Sequence, residues 1–276
     1  MIFNFHLYGF LIGLGILASA SASAWLARRR GANPNLIWNG LWWVMVSALI
    51  GARLYHVADR WADIYRFDPV TAVYIWNGGL GIFGGILGGF LGLWIFWFRR
   101  LRSFGAPQRS EGGIVTFSEI FDLAIFGLPL GQAVGRLGNW VNQEVYGPPT
   151  NLPWGIYINP ENRLPEFQNF DLFHPLFAYE AIWNLTGFGF MFFSEYGFNL
   201  KRFNLRNFNP LKLIRYNYAG FYLIWYGFGR FSLDFLRPAD FAWFAGNLNL
   251  SQFSSLILIA AGLFIWNKSP LVTPSR

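Results

Sequence analysis

"LYGFLIGLGILASASASAWLARRR" runs from Leu7 to Arg30. Nothing from Leu7 to Ala27 carries a charge, and three consecutive arginines close the stretch. About 20 apolar residues cross the hydrocarbon core of a bilayer. Basic residues stay on the cytoplasmic side of such a span. The stretch therefore reads as a transmembrane helix that enters from outside. Its "ASASASA" resembles a signal-peptide cleavage site. However, the preceding "MIFNFH" has no Lys or Arg, and the basic cluster comes after the apolar run, the reverse of a signal peptide. A retained helix with an outside N-terminus is expected.

The rest of the chain supports that solvent. Charged residues make up 13% of the 276, about half the share in a soluble domain. Gly31–Ala52, Pro69–Phe98 and Phe241–Asn267 are further uncharged stretches long enough to hold a span. Three interrupted candidates lie between them. Phe117–Val134 carries Glu119 and Asp122, His174–Ser194 carries Glu180, and Asn217–Leu236 carries Arg230 and Asp234. Ionisable groups at membrane depth face a protein interior or a wet cavity and mark function. The expected fold is an all-α integral membrane protein of about seven transmembrane helices. It forms one polytopic domain over residues 1–276, without internal repeats.

Alternation places Arg28–Arg30, the Arg99–Arg109 loop, the 201–216 loop and the C-terminal tail in the cytoplasm. Those segments hold 14 of the 21 basic residues. The other seven, Arg53, Arg60, Arg66, Arg136, Arg163, Arg230 and Arg237, fall at or beyond the outer ends of spans, where the topology rule does not want them. Residues 53–78 read as an amphipathic interfacial piece. Residues 141–173 read as a small extracytoplasmic head in which "WGIYI" forms a short strand. "KRFNLRNFNPLKLIRY" (201–216) is expected on the anionic inner leaflet.

Cysteine is absent, which excludes disulfides, thiolate metal sites and a catalytic thiol of the chain's own. No cluster suits a metal, so no metal or cofactor is expected. The net charge of +7 is distributed as topology signals, so nucleic acid is not an expected partner. Eight glycines between Gly78 and Gly92 suit close helix packing. Their outer end, Gly78–Gly81, is also a candidate for open backbone facing a lipid headgroup.

Five polar clusters come out on the outer side. "GRLGNWVNQE" (135–144) offers Arg136, Asn139, Asn142 and Glu144. "GRFSLDFLRP" (229–238) places Arg230, Asp234 and Arg237 at i, i+4 and i+7, on one helix face. An intrahelical ion pair would explain that spacing equally well. "HPLFAYE" holds His174, Tyr179 and Glu180, "FHLYGF" holds His6 and Tyr8, and "GARLYHV" holds Arg53, Tyr55 and His56. Arginine's planar fork suits bidentate phosphate recognition. Together the clusters point to an anionic lipid headgroup in the outer leaflet, but they do not name a reaction.

"GRLGNWVNQEVYG" closely resembles the signature of the prolipoprotein diacylglyceryl transferases, which act first in bacterial lipoprotein maturation. "LYGF", "GARLYHV", "WNGGLGIFGG", "HPLFAYE" and "GRFSLDFLRPAD" extend the resemblance over most of the chain. It implies a bacterial inner-membrane enzyme with its active site on the extracytoplasmic side. The enzyme would move the diacylglyceryl group of phosphatidylglycerol onto the lipobox cysteine of a prolipoprotein signal peptide, releasing glycerol phosphate. The substrate supplies the thiol. By position, the resemblance implies Arg136, Arg230, Glu144 and Tyr8 as catalytic. Asn139, Asn142, Gly147, Arg237, Asp234, Arg53 and Gly79 are the remaining substrate-binding candidates. Two positions depart from the family pattern. Phe83 stands where a histidine is usual, which argues against a histidine base there, and Asp234 replaces a glutamate. A phospholipid flippase or transporter with an outward headgroup site is the alternative. A metal-dependent alcohol phosphotransferase lacks its paired aspartates.

Overall fold

The computed structural model describes residues 2–103, 116–196, 214, 217–238, 244–245 and 248–268. Among these, seven long α-helices fall where the seven spans are expected. They are α1 (Ile2–Arg29), α2 (Asn35–Asp59), α3 (Ile82–Ser103), α4 (Phe117–Val141), α5 (Leu176–Glu195), α6 (Tyr218–Leu233) and α7 (Leu250–Lys268). Five of them, α1 to α4 and α7, are long and apolar enough to cross a membrane. The helix α6 has 16 residues, about 24 Å at 1.5 Å per residue, and α5 carries Glu180 and Glu195. The expected interfacial segment 201–216 lies outside the described residues, apart from Ile214.

The chain divides into two compact units, Ser23–Ala124 and a second made of Met1–Ala22 with Ile125–Arg276. In the first, α2 and α3 pack through their glycines. A Cβ on Gly51 would stand 3.0 Å from the Gly88 Cα, and one on Gly84 would stand 2.9 Å from the Gly51 carbonyl carbon. Only hydrogen fits there, so the glycine run provides close packing.

Arg53 organises the loop that joins these two helices. Its Nε donates to the Ala72 carbonyl at 2.8 Å and its Nη2 to Thr71 at 2.6 Å. Its Nη1 donates to the Gly78 and Gly79 carbonyls at 2.7 and 3.0 Å. The guanidinium also lies 5.3 Å from the Tyr65 ring centre. Gly79 has φ +72°, and a Cβ there would meet Arg53 Nη1 at 2.9 Å. Arg53 and Gly79 are expected to bind substrate; in the structure Arg53 donates to the loop carbonyls, and Gly79 lies against the His56 ring and Arg53. Arg53 thus gives four loop carbonyls a charged donor, and hydrogen bonds of this kind are stronger than neutral ones.

In the second unit, a Cβ on Gly131 of α4 would lie 2.7 Å from the Gly15 carbonyl oxygen of α1. The helices α5 and α6 are joined by a reciprocal tryptophan pair. Trp183 and Trp225 stack with centroids 4.2 Å apart, and each indole N–H donates to the other's backbone carbonyl at 2.9 Å. Asn217 caps α6 by accepting from the Gly220 N–H at 2.7 Å and donates to the Ile265 carbonyl of α7 at 3.1 Å.

Between α4 and α5 the chain forms a small substructure with its own core of Tyr146, Ile158 and Phe173. Strands β1 (Ile156–Tyr157) and β2 (Leu172–Phe173) pair antiparallel, with Ile156 opposite Phe173. The expected strand in "WGIYI" is β1. Tyr146 Oη donates to the Asn162 carbonyl and accepts from the Leu164 N–H, both at 2.8 Å. Burial pushes the Tyr146 phenol above its ordinary value, against the Leu164 hydrogen bond and the Arg163 charge. It therefore remains a donor at neutral pH. Arg163 is buried and donates to the Ile158 and Gln168 carbonyls and to Asp171 Oδ1. Like Arg53, it holds a loop together.

Candidate functional site: two arginines on one carboxylate

The helix α4 ends at Val141, and the chain leaves it through a strained turn. Gln143 and Val145 take φ +52° and +57°, a region that a β-branched residue rarely enters. Two anchors keep the turn in place. Gln143 Oε1 accepts from the Asn159 N–H and from Asn162 Nδ2, and the Val145 carbonyl accepts from the Phe177 N–H at 3.1 Å. Strain of this kind clusters at functional sites. The turn positions Glu144 beside the last turns of α4. Asn139 Nδ2 donates to Glu144 Oε1 at 2.8 Å, and Asn142 Nδ2 reaches the same oxygen at 3.4 Å.

Asn139 links the turn to the arginines, because its Oδ1 accepts from Arg136 Nη1 at 3.1 Å. Arg136 Nη2 pairs with Glu180 Oε2. Glu180, at 5% exposure, gives its other oxygen to Arg230 Nη1 at 2.8 Å. Arg230 Nε donates to Ser251 Oγ of α7 at 2.8 Å. Its Nη2 lies 3.4 Å from Asp234 Oδ1, and Arg237 Nη1 lies 3.9 Å from the same oxygen. The buried Asp234 carboxylate makes no hydrogen bond among the described residues, so its role here is one of charge. Arg237 lies beyond the end of α6. Burial, and next the Arg230 charge, pulls its guanidinium below its ordinary value, against Asp234 and Glu180.

Four helices thus meet at one polar cluster through Arg136, Glu180, Arg230 and Ser251. Tyr8 of α1 joins it. Its ring lies on Gly138, where a Cβ would stand 2.8 Å from Tyr8 Cδ2, within electrostatic reach of Glu144 and Arg136. Gly147 also touches the rim. Its N–H donates to the His174 carbonyl at 2.8 Å, and a Cβ there would meet the Leu236 carbonyl at 3.1 Å. Any side chain at 147 would push on the segment that carries Asp234 and Arg237.

A family model described as prolipoprotein diacylglyceryl transferase matches residues 1–267. The chain belongs to this family. Curated relatives carry the name phosphatidylglycerol–prolipoprotein diacylglyceryl transferase. The one from a Nostoc species is 36% identical over 256 residues, covering 93% of this chain and 82% of its own. That of Fervidobacterium nodosum is 37% identical, covering 94% of this chain and 80% of its own. That of Prochlorococcus marinus is 34% identical, covering 99% and 91%.

Within this family member, the structure brings together Tyr8, Arg136, Asn139, Asn142, Glu144, Gly147, Arg230, Asp234 and Arg237. Arg53 and Gly79 belong to the other compact unit. So does Phe83, about half exposed, with its ring 6.1 Å from that of Tyr55. The central role of Glu180 was missed in the sequence, although the residue stood out as an ionisable group inside a span. Ser251 gave no signal, since a serine in an apolar helix is ordinary. His174 Nδ1 lies 3.1 Å from Tyr179 Oη, and that hydroxyl accepts from Trp154 Nε1 at 2.8 Å.

Proposed function

We propose that this chain transfers the diacylglyceryl group of phosphatidylglycerol to the lipobox cysteine thiol of a prolipoprotein and releases glycerol phosphate. Seven spans, an outside N-terminus and an extracytoplasmic head at about 141–173 belong to the same proposal. The observation that carries it is the placement of Arg136 and Arg230 on opposite oxygens of Glu180. Two guanidinium groups on different helices are thereby held side by side.

The bond to be broken joins phosphate oxygen to the sp3 carbon of the diacylglyceryl group. The cysteine sulfur forms a thioether at that carbon, and the electron pair leaves on the phosphate. Charge thus develops on the leaving phosphate. Arg136 and Arg230 hold N–H donors fixed before the reaction, which is how such charge is best stabilised. One donor of this kind contributes about 3 kcal/mol. Glu180, Asn139 and Ser251 restrict both guanidinium groups to one orientation. Arg237 adds a third positive charge at the rim.

A free thiol has a pKa of about 8.5, lowered by nearby cations. The arginines supply such a field. Glu144 is exposed and hydrogen-bonded through Oε1, leaving Oε2 to take up the thiol proton. Tyr8, beside both Glu144 and Arg136, borders the place where thiol and lipid would meet. Arg53 and Gly79 enter the proposal as organisers of the 60–81 loop, not as lipid contacts.

The flippase reading is not favoured, because the curated relatives carry a transferase name. The two readings part in one assay. Purified protein in phosphatidylglycerol vesicles, given a lipobox peptide, should yield lipidated peptide and free glycerol phosphate. Lipid movement without either product would replace the proposal with the flippase.

A further inference from the structure

One spacing occurs twice beside the Glu180–Arg230 pair. Trp183 precedes Gly187 by one turn on α5, and Trp225 precedes Gly229 by one turn on α6. The fold brings the four residues together crosswise. A Cβ on Gly187 would lie 2.6 Å from Trp225 Nε1, and one on Gly229 would lie 2.6 Å from Trp183 Cε2. Each indole thus fills the space that the other helix's glycine leaves open. The rings are nearly parallel, at 13°, and each N–H donates to the carbonyl of the opposite tryptophan at 2.9 Å. Small residues set how closely two membrane helices approach. A hydrogen bond to one particular carbonyl also sets their register. A slip of one residue shifts a helix by about 1.5 Å and would carry both indole N–H groups off their acceptors. Within the hydrocarbon core no water replaces a lost partner.

We infer that Trp183 and Trp225 are positioning residues: their reciprocal hydrogen bonds fix the register of α5 against α6, and with it the place of the Arg230 guanidinium. The inference rests on the transfer reading above, in which Arg230 stabilises the leaving phosphate. Glu180 precedes Trp183 by three residues and lies on the same face of α5. Arg230 directly follows Gly229, on which Trp183 packs. The bond from Arg230 Nη1 to Glu180 Oε1, at 2.8 Å, therefore spans the same two helices beside the tryptophans. The pair's other bonds run to Arg136 of α4 and Ser251 of α7, so they do not set this register. The bonds from Tyr218 to Glu195 and Ser194 also join α5 and α6, but at the far end of α6. The ion pair alone does not supply the precision. A long arginine side chain can follow its carboxylate through a slip, but its remaining N–H donors then point elsewhere. Misplacing a catalytic group by about 1 Å through a distant change can cost about 10²-fold in rate.

Trp183→Phe and Trp225→Phe each keep an aromatic ring and remove one N–H. The full-length variants are compared in phosphatidylglycerol vesicles with one lipobox peptide. Each should lower kcat about tenfold, with KM for the lipid held within about twofold. The deciding step repeats both substitutions in a Glu180→Gln background. Residues that act through the Arg230–Glu180 pair lose most of their effect once that pair is weakened, so the further drop should be about twofold or less. Either variant suffices for this cycle, which keeps the test open if the other fails to insert. The same fold-loss in both backgrounds would overturn the inference and leave the tryptophans as helix packing alone. So would a wild-type kcat in both phenylalanine variants. A wild type that releases no glycerol phosphate would instead overturn the transfer reading, and this inference with it.

Discussion

Arg136 of α4 and Arg230 of α6 occupy opposite oxygens of the buried Glu180 carboxylate. If either arginine turned away, one oxygen of the buried carboxylate would lose its partner. The carboxylate thus serves as the fixed reference for both cations.

Glu180→Gln should therefore lower turnover by about tenfold to a hundredfold without removing the protein from the membrane. The amide can still accept from one arginine, but it carries no charge to hold two. Glu180→Ala should cost more, because breaking a buried pair by removing one partner costs about 3–5 kcal/mol. Turnover of both variants, with thermal stability of the detergent-solubilised proteins, checks this. An unchanged rate in Glu180→Gln would show that the bridge is not needed for catalysis.

Lysine should replace Arg136 or Arg230 poorly. Arg136 reaches Asn139 and Glu180 with two different nitrogens, and Arg230 reaches Ser251 and Glu180 in the same way. A point charge lacks this fork. Each lysine variant should retain about a hundredth of the wild-type kcat/KM or less. Recovery to within a few fold would mean that charge alone suffices.

Much of this arrangement was legible in the sequence. The helices were visible because uncharged runs of the right length are rare outside membranes. The cluster membership of Arg136, Asn139 and Glu144 followed from close spacing on one helix end. Arg230, Asp234 and Arg237 stay together even though α6 stops at Leu233 and a 3-10 turn, Asp234–Leu236, follows. What spacing along one helix cannot show is the partner on another. Glu180 was visible as a charge in a span, but its two arginines come from α4 and α6. Arg53 shows the converse. Its position matched an expected substrate contact, yet the carbonyls of Thr71, Ala72, Gly78 and Gly79 take its donors. Loop carbonyls leave no mark in a sequence.

The topology has its own test. Reporter fusions after Arg30 and after Arg276 should both register cytoplasm, following the 14-to-7 division of basic residues. A periplasmic signal at either point would reverse the orientation and the side assigned to the arginine cluster.

Phe83→His should change the rate only modestly, well under the 10²–10⁴-fold effect of a positioned general base. The proposed thiol activation depends on the arginine field and Glu144 rather than on a ring nitrogen at position 83. Glutamine in place of His6, His56 or His174, each measured against pH, completes the comparison. Loss of a rate-limiting ionisation near pH 6.5, with about a hundredfold drop in rate, would give the proton to that histidine.

The paired arginines are tested most directly by glycerol phosphate release, followed together with peptide lipidation, in Arg136→Ala and Arg230→Ala reconstituted into phosphatidylglycerol vesicles. The wild type should release one glycerol phosphate per lipidated peptide. Each alanine variant should insert normally and lose at least about a hundredfold in kcat. Wild-type turnover in either variant would contradict the phosphate clamp.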